Sequence, residues 1–203
     1  MGLPERQGQG LGAALLDEAL AWGRGSRVFS VIASPHPGAQ LLYLRASMYP
    51  LWLQLDLTGG GGLGPPDPPT GIEALGPGDR PWMEELDLET RGAARPEDHV
   101  FWGREASGIA LWRDGQPRGY LYVWPEGKAG PGAVRDPSDT SLLVRAGLNR
   151  ATGPVTFAVP SANWAALREL VGLGFVPTGS NGFLASRPIG DGSRYLSSGG
   201  ALG

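Results

Sequence analysis

Gln7-Gly8-Gln9-Gly10-Leu11-Gly12-Ala13 runs directly into an amphipathic stretch, residues 14–22, and reads as a glycine loop opening a helix. The first backbone N–H groups of a helix have no partner within it, and the helix dipole is positive at that end, so such a loop is suited to hold a phosphate. Only six residues precede the loop, so the strand expected to deliver the chain into this turn is missing or nearly so.

Outward from the loop, Leu15, Leu16, Ala19, Leu20 and Trp22 keep helical spacing up to Gly23 and Gly25. Residues 27–33 are rich in β-branched and aromatic types and read as a strand. Pro37 and Gly38 open a second helix through Ala39, Leu42 and Tyr43, and residues 49–57 alternate as a further strand. Residues 58–71 hold almost nothing but glycine and proline and form a linker.

Beyond the linker, residues 82–88 predict a helix and residues 99–104 an irregular stretch. Asp114-Gly115 between residues 107–113 and 118–124 predicts a hairpin, since Asp and Gly tolerate the positive φ of a tight turn. Residues 139–150 read as helix, 155–159 as strand, 161–172 as helix with Ser161 as N-cap, and 175–186 as strand. Residues 190–203 offer little beyond Tyr195 and Leu196 to bury and are expected to be partly disordered.

The two halves share a register. At an offset of 127, residues 12–50 align without a gap on the second half, with Leu15 on Leu142, Leu16 on Leu143, Ala19 on Ala146, Val28 on Val155, Ser34 on Ser161, Ala39 on Ala166 and Pro50 on Pro177. Matching helix and strand boundaries favour an internal duplication over the apolar spacing that any two such units share. Gly10 falls on Pro137 and Gly12 on Asp139, so the second copy loses a backbone donor and gains a negative charge where a phosphate would sit. Tyr43 falls on Leu170, which places any chemistry in residues 1–57.

Composition narrows the function. A net charge of -3, with Lys and Arg scattered, gives no basic stripe for nucleic acid. The absence of cysteine removes disulfides, thiolate metal sites and a thiol nucleophile, and with His36 and His99 the only histidines no metal site is expected. No apolar run approaches the roughly 20 residues of a membrane span, and the expected compartment is the cytoplasm. His99 beside Glu97 and Asp98 reads as a solvated loop, and Trp102, Trp112 and Trp124 as core or domain-contact residues.

A nucleoside-triphosphate loop would end in Gly-Lys-Ser/Thr, where this chain has Gly12-Ala13-Ala14. A dinucleotide fold would place an acidic residue after the next strand, where Ser34-Pro35 stand. The pattern resembles instead the GCN5-related N-acetyltransferase superfamily, whose coenzyme A loop reads Gln/Arg-x-x-Gly-x-Gly/Ala and is matched by Gln7, Gly10 and Gly12. That family's next helix carries Asn-x-x-Ala-x-x-Leu-Tyr followed by Gly-Phe. Here His36-x-x-Ala39-x-x-Leu42-Tyr43 is followed by Ser47-Met48 and Pro50, and the second copy keeps Asn163-x-x-Ala166, Gly174-Phe175 and Pro177.

The resemblance implies an α/β (α+β) fold with the mixed sheet of acyl-CoA N-acyltransferases, as a partial first copy (1–57) and a fuller, degenerate second copy (72–189) followed by a tail (190–203). It implies transfer of an acetyl group from acetyl-CoA to an amine acceptor not identified by the sequence, with Gln7, Gly8, Gln9, Gly10, Leu11, Gly12 and Ala13 holding the coenzyme A diphosphate. By the same resemblance Tyr43 protonates the departing thiolate, and His36 stands where the family has an asparagine that contacts the pantetheine arm. Two structural alternatives stand beside these roles: Tyr43 as a packed helix residue, His36 as a solvated loop residue. The strands that build the family's acceptor side lie before the glycine loop, so a truncated or weakly active enzyme is expected. The alternative is a non-catalytic structural or protein-interaction module. The strand at 27–33 would leave an open edge, which predicts contact between the halves or a homodimer.

Overall fold

The computed structural model describes residues 10–26, 28–60, 67 and 69–198, so Gln7, Gly8 and Gln9 of the glycine loop lie outside the described residues. The described chain runs α1 (Leu11–Trp22), β1 (Ser30–Ala33), α2 (Pro37–Arg45), β2 (Tyr49–Gly59), β3 (Ile72–Ala74), α3 (Arg80–Arg91), α4 (Pro96–Glu105), β4 (Ser107–Arg113), β5 (Gln116–Trp124), β6 (Lys128–Val134), α5 (Thr140–Arg150), β7 (Val155–Pro160), α6 (Trp164–Gly172), β8 (Val176–Ala185) and β9 (Tyr195–Leu196). These nine strands form one mixed sheet in the order β1-β8-β2-β7-β6-β5-β4-β3, with β9 paired to β6. The hairpin expected around Asp114-Gly115 joins β4 to β5, and both residues take the positive φ the turn needs (52° and 71°).

Alternation along β5 explains how the sheet is covered on both faces. Leu121 and Val123 enter a core with α5 and α6 through Leu143, Val144, Ala166 and Leu170. Tyr120 and Tyr122 enter a second cluster with α3 and α4 through Met83, Leu86 and Trp102. A strand whose odd and even residues are both buried must lie between two helical layers. The helices α1 and α2 bury no residue fully; α2 rests by Tyr43 on a small cluster of Ala33, Met48 and Leu184, and Trp22 of α1 is 92% exposed.

The 127-residue offset recurs in the geometry. The bounds of α2 map onto those of α6, and β2 and β8 begin at equivalent residues, Tyr49 and Val176. β2 pairs antiparallel with β8, and Gln54 lies opposite Asn181, its own equivalent. Each strand is irregular once, at Leu51 and at Thr178, again 127 apart. The segment β1-β8-β2-β7 therefore reads the same from either end, as two interleaved strand pairs about a pseudo-two-fold axis at Gln54 and Asn181. After α2, Ser47 takes a left-handed φ of 58° and the Met48 N–H donates to the Tyr43 carbonyl at 3.0 Å; after α6, Gly174 takes 80° and the Phe175 N–H donates to the Leu170 carbonyl at 3.0 Å. These are the same helix exit in two sequences.

Interleaving brings the halves together, as the open-edge reasoning required of one of its outcomes: β1 pairs with β8, and β2 lies between β8 and β7. The other edge of β1 has no strand neighbour among the described residues. Three expectations are corrected, and one strand appears where none was expected. Residues 99–104 belong to α4, which Pro96 at its first turn and the acidic pair Glu97 and Asp98 favour. The N-cap of α6 is Asn163, not Ser161, whose hydroxyl instead accepts the Leu53 N–H across the sheet. The Gly/Pro-rich Lys128–Val134 is a buried strand, where small residues let neighbours close in. Finally, Tyr195, Leu196 and Ser197 are buried, so this part of the tail is core.

Candidate functional site

At the start of α1, Gly10 is the N-cap with a left-handed φ of 78°, and its carbonyl accepts the Ala14 N–H at 3.1 Å. Among the described residues no side chain caps this helix, and no acidic residue stands in its first turn. Its first amides are therefore left for an external acceptor. A Cβ placed on Gly12 would meet only Leu42 Cδ2, at an ordinary 3.6 Å. Of the predicted loop, Gly10, Leu11, Gly12 and Ala13 are thus placed at one helix terminus.

In the second half a carboxylate is buried at the corresponding helix start. Asp139, fully buried, stands at the N-cap of α5. Its Oδ2 accepts from Arg118 Nε at 2.8 Å, and its Oδ1 lies 3.2 Å from Arg113 Nη1, close enough for charge attraction though not aligned as a hydrogen bond. The Asp139 carboxylate makes no capping bond to the helix, and the turn before it, Pro137–Asp139, is capped by Asp136, whose Oδ1 accepts the Ser138 N–H at 2.9 Å, so two acids and two arginines stand around this helix start.

The space between β6 and β7 is filled. These parallel strands pair only at Lys128 with Thr156 and Ala129 with Phe157 and then separate. Into the gap comes the chain's own tail: Tyr195 and Leu196 pair with Ala133 and Gly132 of β6, and Ser197 bridges to Ala158 of β7. Asn163 holds this insert, its Nδ2 donating to the Tyr195 carbonyl at 3.0 Å while its Oδ1 accepts the Ala166 N–H at 3.1 Å.

His36, the equivalent of Asn163, caps α2: its Nδ1 accepts the Gly38 N–H at 3.1 Å from an exposed position. Tyr43 is half-buried on α2 against the cluster of Ala33, Met48 and Leu184, and its hydroxyl has no hydrogen-bond partner among the described residues. Packing accounts for the ring and leaves the hydroxyl unassigned.

His99 is the largest correction among the singled-out residues. It is only 2% exposed, not a solvated loop residue. Its Nε2 lies 3.0 Å from Asp87 Oδ2 and its Nδ1 3.2 Å from the Tyr122 hydroxyl. Arg95 bonds Asp87 through Nε at 3.0 Å and Nη2 at 3.2 Å, Tyr120 donates to Asp87 Oδ1, and the Arg95 guanidinium lies 4.6 Å over the Trp102 ring. Burial pushes the Asp87 carboxyl up, but the bonds from His99 and Arg95 and the Arg95 charge outweigh it and hold the group below the ordinary carboxylate value. Burial raises the Tyr120 and Tyr122 phenols, and the Asp87 charge adds to it. This network ties α3, α4 and β5 together. Asp87 lies among the buried positions Met83, Leu86 and Thr90 of α3, and an acid within a helix's buried stripe was the signal that it needed a buried partner.

No protein-family model matches the sequence, and no curated protein matches it. Solved structures do. A Pyrococcus horikoshii protein assigned as an acetyltransferase superimposes with a TM-score of 0.78 at 18% identity, over 97% of this chain and 68% of its own. A GCN5-related N-acetyltransferase from Anabaena variabilis gives 0.60 at 14% identity, over 90% of this chain and 52% of its own. A tandem acetyltransferase from the clavulanic acid biosynthesis pathway gives 0.57 at 20% identity, over 93% and 74%. The chain thus spans between about half and three quarters of the length of these neighbours. At such identities the likeness concerns the fold: the mixed sheet is that of acyl-CoA N-acyltransferases.

Proposed function

We propose that this chain is a tandem-type member of the GCN5-related N-acetyltransferases, built from an internal duplication, and that its acetyl-CoA site belongs to the first half. The observation that supports this reading is the N-terminus of α1, uncapped and without acidic residues among the described residues, set against a second-half helix start beside which Asp139, Arg118 and Arg113 are placed. In this reading the amides from Gln7 to Ala13 hold the diphosphate. The open edge of β1 receives the pantetheine arm by main-chain hydrogen bonds, with His36 at the start of α2 beside it. Tyr43, with an uncommitted hydroxyl, delivers a proton at the sulfur as the acetyl group moves to an amine. The second half is the partner that completes the sheet and no longer takes the cofactor itself. Weak turnover is expected from the first half alone, and the cytoplasm is where this cofactor would be met. Among the described residues no helix is long and apolar enough to cross a membrane.

The experiment is calorimetric titration of acetyl-CoA into the full chain and into Gly12→Asp. That variant places in the first half the carboxylate that the second half carries, at a position where a Cβ has room. Binding by the wild type and at least tenfold weaker binding by the variant support the site; equal affinities overturn it. A non-catalytic module is the second reading, favoured by the sealed gap between β6 and β7, and absence of acetyl-CoA binding to the wild type would select it. Exposed Leu15 and Trp22 favour a homodimer through α1, which sedimentation at two protein concentrations tests.

A further inference from the structure

Between the halves lies a cavity of about 170 Å³ whose described lining includes neither residues 10–13 nor Tyr43. Val28, Trp52, Phe183 and Ile189 give it apolar walls, with Trp52 and Phe183 stacked at 4.5 Å and 8° between planes. Among the described residues, Arg91, in the last turn of α3, is the only charged residue lining it, and it has no ion pair or hydrogen bond there. Nearby acids are committed elsewhere: Glu89 to Arg135 and Arg194, Asp191 to Arg194 and Ser193. Tyr195 also lines the cavity, and its hydroxyl is buried without a hydrogen-bond partner. The rim is fixed, because the Asp191 N–H bonds the Thr90 carbonyl at 2.6 Å and a Cβ on Gly190, at φ 68°, would strike that same carbonyl.

We propose that this cavity binds a small monocarboxylate carrying one aromatic ring, the ring against Trp52 and the carboxylate on Arg91 and the Tyr195 hydroxyl. A cavity of about 150 Å³ is enough for one benzene ring. A buried hydroxyl without a partner is costly until a ligand or water supplies one. An unpaired guanidinium on a wall without acids selects an anion and repels a simple amine. The site is built by both halves at once, since Val28 and Trp52 come from the first and Arg91 and Tyr195 from the second.

The test uses the full chain and 3-phenylpropanoate, followed by calorimetry and by the indole N–H resonance of Trp52. Saturable binding that shifts this resonance is expected, with the neutral 3-phenylpropanamide about tenfold weaker. Arg91→Gln should erase the difference between acid and amide without lowering the melting temperature, and Tyr195→Phe should weaken the acid a few fold. No binding at millimolar concentration, equal binding of acid and amide, or an Arg91→Gln protein that still prefers the acid would overturn the proposal. Gly12→Asp should leave 3-phenylpropanoate binding unchanged, so a failure of the acetyl-CoA reading is seen separately.

Discussion

The starts of α1 and α5, at Leu11 and Thr140, lie in segments related by the 127-residue register and present different chemistry. α1 begins on Gly10 with no side-chain cap among the described residues, whereas α5 begins on a buried Asp139 held by Arg113 and Arg118. The strands beside them differ in the same sense: β1 keeps an open edge among the described residues, while the gap between β6 and β7 is closed by Tyr195, Leu196 and Ser197. In the reading proposed above, the second half keeps the fold while a carboxylate and a strand of the protein's own stand where an anion and an extended chain would bind. What was binding energy becomes folding energy.

The contrast predicts where stability is concentrated. Removing Asp87 from the buried network should have the largest effect: Asp87→Ala leaves Arg95 buried without its counter-ion and should cost about 3–5 kcal/mol in urea unfolding. Because the folded-state pKa of Asp87 lies below the unfolded value, its contribution is fully present above about pH 4 and is lost as pH falls through the lower, folded value. Wild-type stability should therefore fall with acid below about pH 4, and Asp87→Ala should flatten that part of the profile. Next in size is Leu196→Ala, in the strand that closes the second half; Leu196 is 2% exposed, and about 2–4 kcal/mol is expected from thermal unfolding. An effect below about 0.5 kcal/mol would show the gap to be only loosely filled.

In the first half the expected effects are on binding and rate. Tyr43→Phe should lower turnover, where turnover is found, about a hundredfold while leaving acetyl-CoA affinity within twofold. Unchanged turnover would reduce Tyr43 to its packing against Met48 and Leu184. Smallest of all, Leu15→Ala on the exposed face of α1 should change monomer stability by less than about 0.5 kcal/mol. A larger change that depends on protein concentration would reveal a second copy covering that face.

Much of this was legible in the sequence. The hairpin at Asp114-Gly115, the helix-strand-helix-strand order and the 127-residue register follow from turn chemistry and apolar spacing, which are local. The burial of Tyr195 to Ser197 was not legible, because a short polar tail enters a core only when two strands part to receive it. Interleaving of β2 and β8 is equally non-local: each strand alternates well enough for any sheet, and only the partner decides its place. His99 was misplaced because its neighbours in sequence are Glu97 and Asp98, whereas its partners in space are Asp87 and Tyr122. At the candidate site the glycine loop named the helix terminus, and the contrast with Asp139 was visible at the same offset. The two arginines that neutralise Asp139 come from β4 and β5 and had no mark in the local sequence.

The difference between the two helix starts is tested most directly by backbone amide resonances during titration with coenzyme A. Shifts at Gly10, Leu11, Gly12 and Ala13, with Ser138, Asp139, Thr140 and Ser141 unmoved, are the predicted result. Shifts at the α5 start, or at neither terminus at saturating ligand, would contradict the assignment of the anion site to the first half.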